Sequence, residues 1–200
     1  MFTQTSKASQ QLAASGQALM QSQRLAKSVS QALVGSAAAF PEVKESADVL
    51  TRSVRGLKNG DSDLGIAPLG GAFDAQLSAL LPKVDAAERN SSAVLAQQKI
   101  LTQVGDALRV INRQSSDLLE IAETVSSLKL QQGAPAAEIS AAGQLVMLTQ
   151  RIGKSANEFL TMEGVSPEAV FLLGKDLNTF KEVAEGLLKG CLLYTSDAAD

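Results

Sequence analysis

Gln23, Arg24 and Lys27 fall within about one helical turn, and Gln150, Arg151 and Lys154 repeat the same spacing. An amide, a guanidinium and an ammonium so placed could hold a small anion or a polar ligand, since the amide donates and accepts while both cations donate. The same residues could equally fix helix register, as a polar residue in a coiled-coil seam does. Asp61 and Asp63, in a Gly-rich loop, are the nearest thing to a carboxylate pair. They lack the remaining ligand spacing of a Ca²⁺ loop, so they read as turn caps.

What is missing limits the chemistry further. The chain has no His and one Cys. That Cys191, together with Tyr194, falls in the last ten residues, Cys191 to Asp200, which read as a translated sequencing adapter and not as native protein. The native part then offers no thiolate or imidazole for a metal and no Ser–His or Cys–His catalysis. An enzyme is the weakest reading, and no cofactor is expected. Net charge is −3, and setting aside Asp197 and Asp200 leaves 19 acidic against 18 basic residues. No basic block could neutralise a run of phosphates, so nucleic acid is not an expected partner. No apolar run approaches the roughly 18 residues of a membrane span, and Met1-Phe2-Thr3-Gln4 lacks the basic end of a signal peptide. The expectation is a soluble piece of a longer, membrane-anchored protein whose gene continues past Gly190.

Helices must position these groups. Apolar residues make up 45% and aromatics only 4%, so the core is built from Leu, Val, Ile, Ala and Met, which favours packed helices over a sandwich or barrel. Residues 16–28 and 143–155 align without a gap and are identical at seven of 13 positions, sharing G-Q-x-x-M-x-[ST]-Q-R-[LI]-[AG]-K-S. Leu12, Gly16, Leu19, Gln23, Ala26, Ser30 and Leu33 step by four and three, as do Ile139, Gly143, Val146, Gln150, Gly153, Asn157 and Leu160. These read as two buried seams, each with an amide at its centre and small residues for close helix approach.

After the first copy, Pro41 is expected to open a helix burying Val43, Ala47, Leu50, Val54 and Leu57 and ending at Asn59-Gly60. A loop follows over residues 59–72. Phe73, Leu77, Leu80, Val84 and Ala87 form another stripe, which Pro82 kinks or restarts. From Leu101 the stripe runs Val104, Leu108, Ile111, Ser115, Leu118, Ala122 and Val125, after a break somewhere in 90–99. Gly133-Ala134-Pro135 is a turn, Gly164 to Pro167 another, and Ser166 caps a last helix from Pro167. The fold class is therefore all-α, an antiparallel helical bundle. One complete four-helix-type module (1–131) is followed by the first half of a second (136–190) and the tail 191–200.

Gln17 to Ser28 and Gln144 to Ser155 resemble the signature helix of the PilJ N-terminal sensor family, roughly A-G-x-x-x-M-L-[ST]-Q-R-[ML]-[AS]-K. Match and repeat cover nearly all of residues 1–190. The resemblance implies a periplasmic helical sensor between two transmembrane helices of a bacterial inner-membrane protein. A methyl-accepting coiled coil would lie beyond, acting through a histidine kinase on type IV pili and twitching motility. It also implies a homodimer, with pilin or a small anion or polar ligand as further partner. The same helix is similar to the nitrate-binding segment of NarX/NarQ-type sensor kinases, where an Arg directly before the Met contacts nitrate. Leu19 and Val146 stand there, so nitrate sensing by that chemistry is disfavoured. Arg24 and Arg151 match a second Arg of that segment and keep anion sensing open. A purely structural bundle is the third reading.

Overall fold

The computed structural model describes residues 2–161 and 166–190, with side chains from Thr5 onward. The adapter-like tail 191–200 and the first part of the predicted 164–167 turn lie outside the described residues. Six α-helices account for almost all of the rest: α1 (Phe2–Leu33), α2 (Ala39–Asn59), α3 (Asp74–Ala96), α4 (Gln98–Gln131), α5 (Ala136–Thr161) and α6 (Pro167–Lys189). Among the described residues the only β feature is an isolated antiparallel bridge, Asp61 to Ile66. The chain is all-α, as its composition requires. Packing divides it into two compact units, Met1–Gly105 and Asp106–Asp200, whereas the sequence repeat divides it at residues 131 and 136.

In the first unit α2 runs antiparallel to both α1 and α3. Along α2 and α3 the ion pairs count in opposite directions, Arg55 with Glu88 and Lys58 with Asp74, while Arg24 with Glu45 joins α1 to α2. The predicted α2 stripe is buried in full, and Phe40 joins it. Phe40, Val43, Leu50 and Val54 meet Leu25 and Ala32 of α1 and Val84 of α3 in one core. Fully burying each large side chain contributes about 1.5–3 kcal/mol. Pro41 sits in the first turn of α2, where its missing N–H leaves no intrahelical bond unmade.

Gly35 closes α1. Its φ is +80°, and a Cβ there would run into the Leu101 carbonyl oxygen, so both backbone conformation and space demand glycine. Helix α3 runs unbroken through Pro82, so of the two alternatives read there, a kink or a restart, the restart is absent. The break expected in 90–99 falls at Gln97, between α3 and α4.

The second unit holds the rest of α4 with α5 and α6. Leu148 and Ile152 of α5 and Leu173 of α6 form its core, with Leu108 and Ile111 of α4, Phe159 and Phe180 packed against it. The turn between α4 and α5 passes through Gly133 (φ +62°), and the Lys129–Glu138 ion pair at 2.6 Å closes it. Ser166 caps α6 as read from sequence, its Oγ accepting from the Ala169 N–H at 3.1 Å. Ser166→Ala is expected to cost about 1 kcal/mol, seen as a lower midpoint in thermal unfolding followed by circular dichroism.

Candidate functional site

Each copy of the repeated motif lies on a long helix, and both copies bury the same face. On α1 this face carries Ala14, Ala18, Gln21, Leu25, Ser28 and Ala32, all buried or half-buried. On α5 the matching positions Ala141, Leu145, Leu148, Ile152, Ser155 and Phe159 are likewise covered. Helix α5 buries in addition Ala142, Thr149 and Ala156; the counterparts of the first two, Ser15 and Ser22, are exposed on α1. The repeat is thus a repeat of packing. On α1 the buried stripe is not the expected one, however, while on α5 four of the expected positions, Ile139, Val146, Gly153 and Leu160, are half-buried. The buried stripe of α1 lies two residues along, on the opposite side of the helix. Leu12, Gly16, Leu19, Gln23, Ala26 and Leu33 are exposed, and so is Gln150.

The reason is size. Helix α2 brings the large residues to its contact with α1, so the face of α1 that meets it carries mostly small ones. The leucine-rich stripe that periodicity selects is left outside. The buried amide of the first copy is Gln21, whose Oε1 has no hydrogen-bond partner. Its counterpart in the second copy is Leu148.

The structure separates the six motif residues by role. Arg24 Nη2 donates to Glu45 Oε2 of α2 at 3.2 Å. Arg151 Nη2 lies 2.9 Å from Asp176 Oδ1 of α6, and Asp176 is buried. In both units the motif Arg therefore ties its own helix to the next one, through a carboxylate at a position the repeat does not predict. Lys154 is 3.8 Å from Glu158 one turn along its own helix. Gln23, Lys27 and Gln150 face outward. Arg24 and Arg151 each have a carboxylate beside them, which an incoming anion would have to displace.

A second polar cluster escaped the sequence reading. Arg52 Nε and Nη2 donate to the two Asp61 oxygens at 2.7 and 3.1 Å, and Nη2 also reaches Asp63 at 3.2 Å. Asp61 Oδ1 accepts from the Asp63 and Leu64 N–H groups, both at 3.0 Å. Asp61 thus takes the turn-capping role expected of the pair, while the Asp63 carboxylate meets Arg52 instead. Arg55 bridges Asp85 and Glu88 of α3 at 2.9 and 2.6 Å. Arg52, Arg55, Asp61 and Glu88 line an open concavity of about 350 Å³ together with Asp48, Thr51 and Asn59. The spacing of Arg52 from Asp61 gave no signal, because the α2–α3 loop must fold back before the two meet.

The hydrogen bond from Arg52, then the Leu64 N–H, hold the Asp61 carboxyl below its ordinary value of 3.8. A lowered carboxyl contributes stability above its unfolded value and loses it as pH falls through the folded one. The Leu64 amide shift in NMR is expected to titrate with a midpoint below 3.8, returning toward it in Arg52→Gln. Among the described residues no group of three or more His, Cys, Asp or Glu could hold a metal ion, and no helix is long and apolar enough to cross a membrane.

Residues 1–110 match PilJ, the family described as the type IV pili methyl-accepting chemotaxis transducer N-terminal region. The match ends just past the limit of the first compact unit at Gly105. The chain belongs to the PilJ family. It is 26% identical over 188 residues to the protein named PilJ of Pseudomonas aeruginosa strain PAO1, which covers 94% of this chain and 28% of that protein. The chain thus spans little more than a quarter of the relative's length. Membership makes it a signal-transduction module, and the PilJ motif helix is the element that both units share.

Proposed function

We propose that this chain is the periplasmic sensory region of a membrane-anchored type IV pilus transducer whose output is twitching motility. It senses and transmits; it does not catalyse. The observation that carries the reading is the family match over the first compact unit, joined to the return of the same motif helix, burying the same face, in the second. In each unit the motif Arg fastens that helix to its successor. The pair then moves as one hairpin, and a stimulus acts by shifting hairpins along or around the bundle axis. At 32 residues α1 spans roughly 48 Å, long enough to join a distal contact to the membrane side.

Pilin contact is favoured over a small-anion cage. A small anion would depend on Gln23, Lys27 and their counterparts, because Arg24 and Arg151 are held by carboxylates.

Residues 1–190, exchanged for the matching segment of the Pseudomonas relative, are expected to preserve twitching zones. A Lys27→Cys version should react with a membrane-impermeant maleimide once the outer membrane is opened. Labelling only after lysis of the inner membrane would refute the periplasmic placement, and loss of twitching by a stably produced chimera would refute the output.

A further inference from the structure

We propose that the concavity between α2, α3 and the loop joining them binds a linear aliphatic amine carrying two or more ammonium groups. Its long wall is one face of α2, where Asp48, Thr51, Arg52 and Arg55 cover two turns, about 10 Å. Glu88 of α3 and Asp61 of the loop close it. These walls stand without a ligand. Asp61 and Ile66 are joined by two backbone hydrogen bonds, both at 2.8 Å. Gly56 lets the loop rest on α2, since a Cβ there would stand 3.1 Å from Ile66 Cδ1. A site formed in advance spends little of its binding energy on ordering.

The charges select the sign of the ligand. Arg52 meets two carboxylates, Asp61 and Asp63, and Arg55 meets two, Asp85 and Glu88. Each guanidinium is outnumbered, so each group keeps one negative charge. Asp48 adds a third. It stands four residues before Arg52, the spacing at which the two would pair along a helix. Arg52 is drawn across to the loop instead, and Asp48 has no cation beside it among the described residues. An anion entering the concavity would meet this excess, whereas a cation relieves it. The excess is spread along the groove, which suits a chain of ammonium groups. Among the described residues no acidic group is dense enough to hold a metal ion.

Thr51 points to a ligand independently of charge. It is 6% exposed, and its hydroxyl makes no hydrogen bond with any described residue. A buried hydroxyl left without a partner costs free energy. The unpaired Ser46 hydroxyl is sealed inside the packing, but Thr51 borders the concavity, where a ligand N–H can supply the missing bond. An ammonium has three donors and no acceptor. It is the complement of a hydroxyl oxygen and an unpaired carboxylate one turn apart on the same helix. Amine binding here depends neither on pilin contact nor on the output proposed above.

Titration calorimetry of the full 200-residue chain with spermidine tests the site, and amide shifts in NMR locate it. Saturable binding is expected, with the shifts centred on Asp48 and Thr51. Asp48→Asn should weaken binding about fivefold, the effect of one exposed charge pair. Thr51→Val should weaken it about tenfold, the effect of a hydrogen bond to a charged group. Neither change should lower the thermal midpoint of the free chain, because Asp48 has no ion pair and the Thr51 hydroxyl no hydrogen bond to lose. Glu42→Gln, exposed on the same helix but outside the concavity, should leave binding unchanged. Butylamine, with a single ammonium, should bind at least about tenfold more weakly than spermidine. Absence of saturable spermidine binding would overturn the proposal. So would equal weakening by Asp48→Asn and Glu42→Gln, which marks diffuse surface charge, or butylamine or nitrate binding as tightly as spermidine.

Discussion

Arg151→Met is expected to destabilise the second unit by about 3 kcal/mol, the low end for a broken buried ion pair, because Arg151 itself stays half exposed. The cost comes from what the substitution leaves behind. Asp176 is 5% exposed, and Arg151 lies 2.9 Å from it. Without the guanidinium a carboxylate remains inside the α5–α6 contact with no cation beside it, and burial of an uncompensated charge is what makes such losses large.

The first copy provides the control. Arg24 and Glu45 are both well exposed, with side chains at 38 and 60%, so Arg24→Met should change stability by less than about 1 kcal/mol. The comparison is read by urea unfolding of the two single variants. Adding Asp176→Leu to Arg151→Met should recover most of the loss, since an apolar pair can replace a buried ionic one at little cost. Equal effects of the two Arg substitutions, or no recovery in the double variant, would mean that Asp176 is not held by Arg151 in solution.

Gln21→Leu is expected to act in the opposite direction, raising stability by about 1–3 kcal/mol. Gln21 is 5% exposed in the α1–α2 contact, and its Oε1 meets no donor. Removing an unpaired buried acceptor returns its desolvation cost, and leucine supplies apolar area of similar length. The protein itself contains the substituted version, because Leu148 takes this position in the second copy and lies 2% exposed in the core there. Ser46, whose Oγ is likewise buried without a partner, should show a smaller gain on change to Ala. The midpoint of thermal unfolding should rise by roughly 2–4 °C for each kcal/mol gained. A loss of stability in Gln21→Leu would show that the amide has a partner in solution and that this seam is better satisfied than its geometry indicates.

A polar residue kept in a helix seam at a cost in stability is a plain way to hold two helices in one register without locking them. In a sensory module that property has an evident use. Gln21→Leu would test it beyond stability if placed in a pilus transducer, where a signal that fails in a better-folded variant separates transmission from folding.

The contrast between legible and illegible features in this sequence follows from what each depends on. Helix existence and ends came from local chemistry. Gly35, Gly60 and Gly133 supply positive φ where helices stop or loops turn, and Ser166 with Pro167 opens α6 by satisfying or lacking the N–H groups that a first turn leaves unpaired. The α2 stripe was legible because its large apolar residues all lie on one face. The repeat told correctly that α1 and α5 share one buried face, although α5 is covered on more of its circumference than α1.

Which face was buried could not be told from one helix alone. On α1 the leucines mark the outer stripe, while the inner one carries Ala14, Ala18, Ser28 and Ala32. Burial there is decided by the bulk that α2 brings to the contact, a property of another element. The partners of the cations were hidden for the same reason. Arg24 finds Glu45, Arg151 finds Asp176 and Arg52 finds Asp61 only after turns have folded neighbouring segments back on themselves. The sequence by itself therefore determined the helices, their order, the repeat and the family. The tertiary structure alone decided which side of the motif helix is core, that Gln21 and not Gln23 is its buried amide, and that both motif arginines serve as clasps between helices, because pairing across space depends on the shape of the neighbour and not on spacing along the chain.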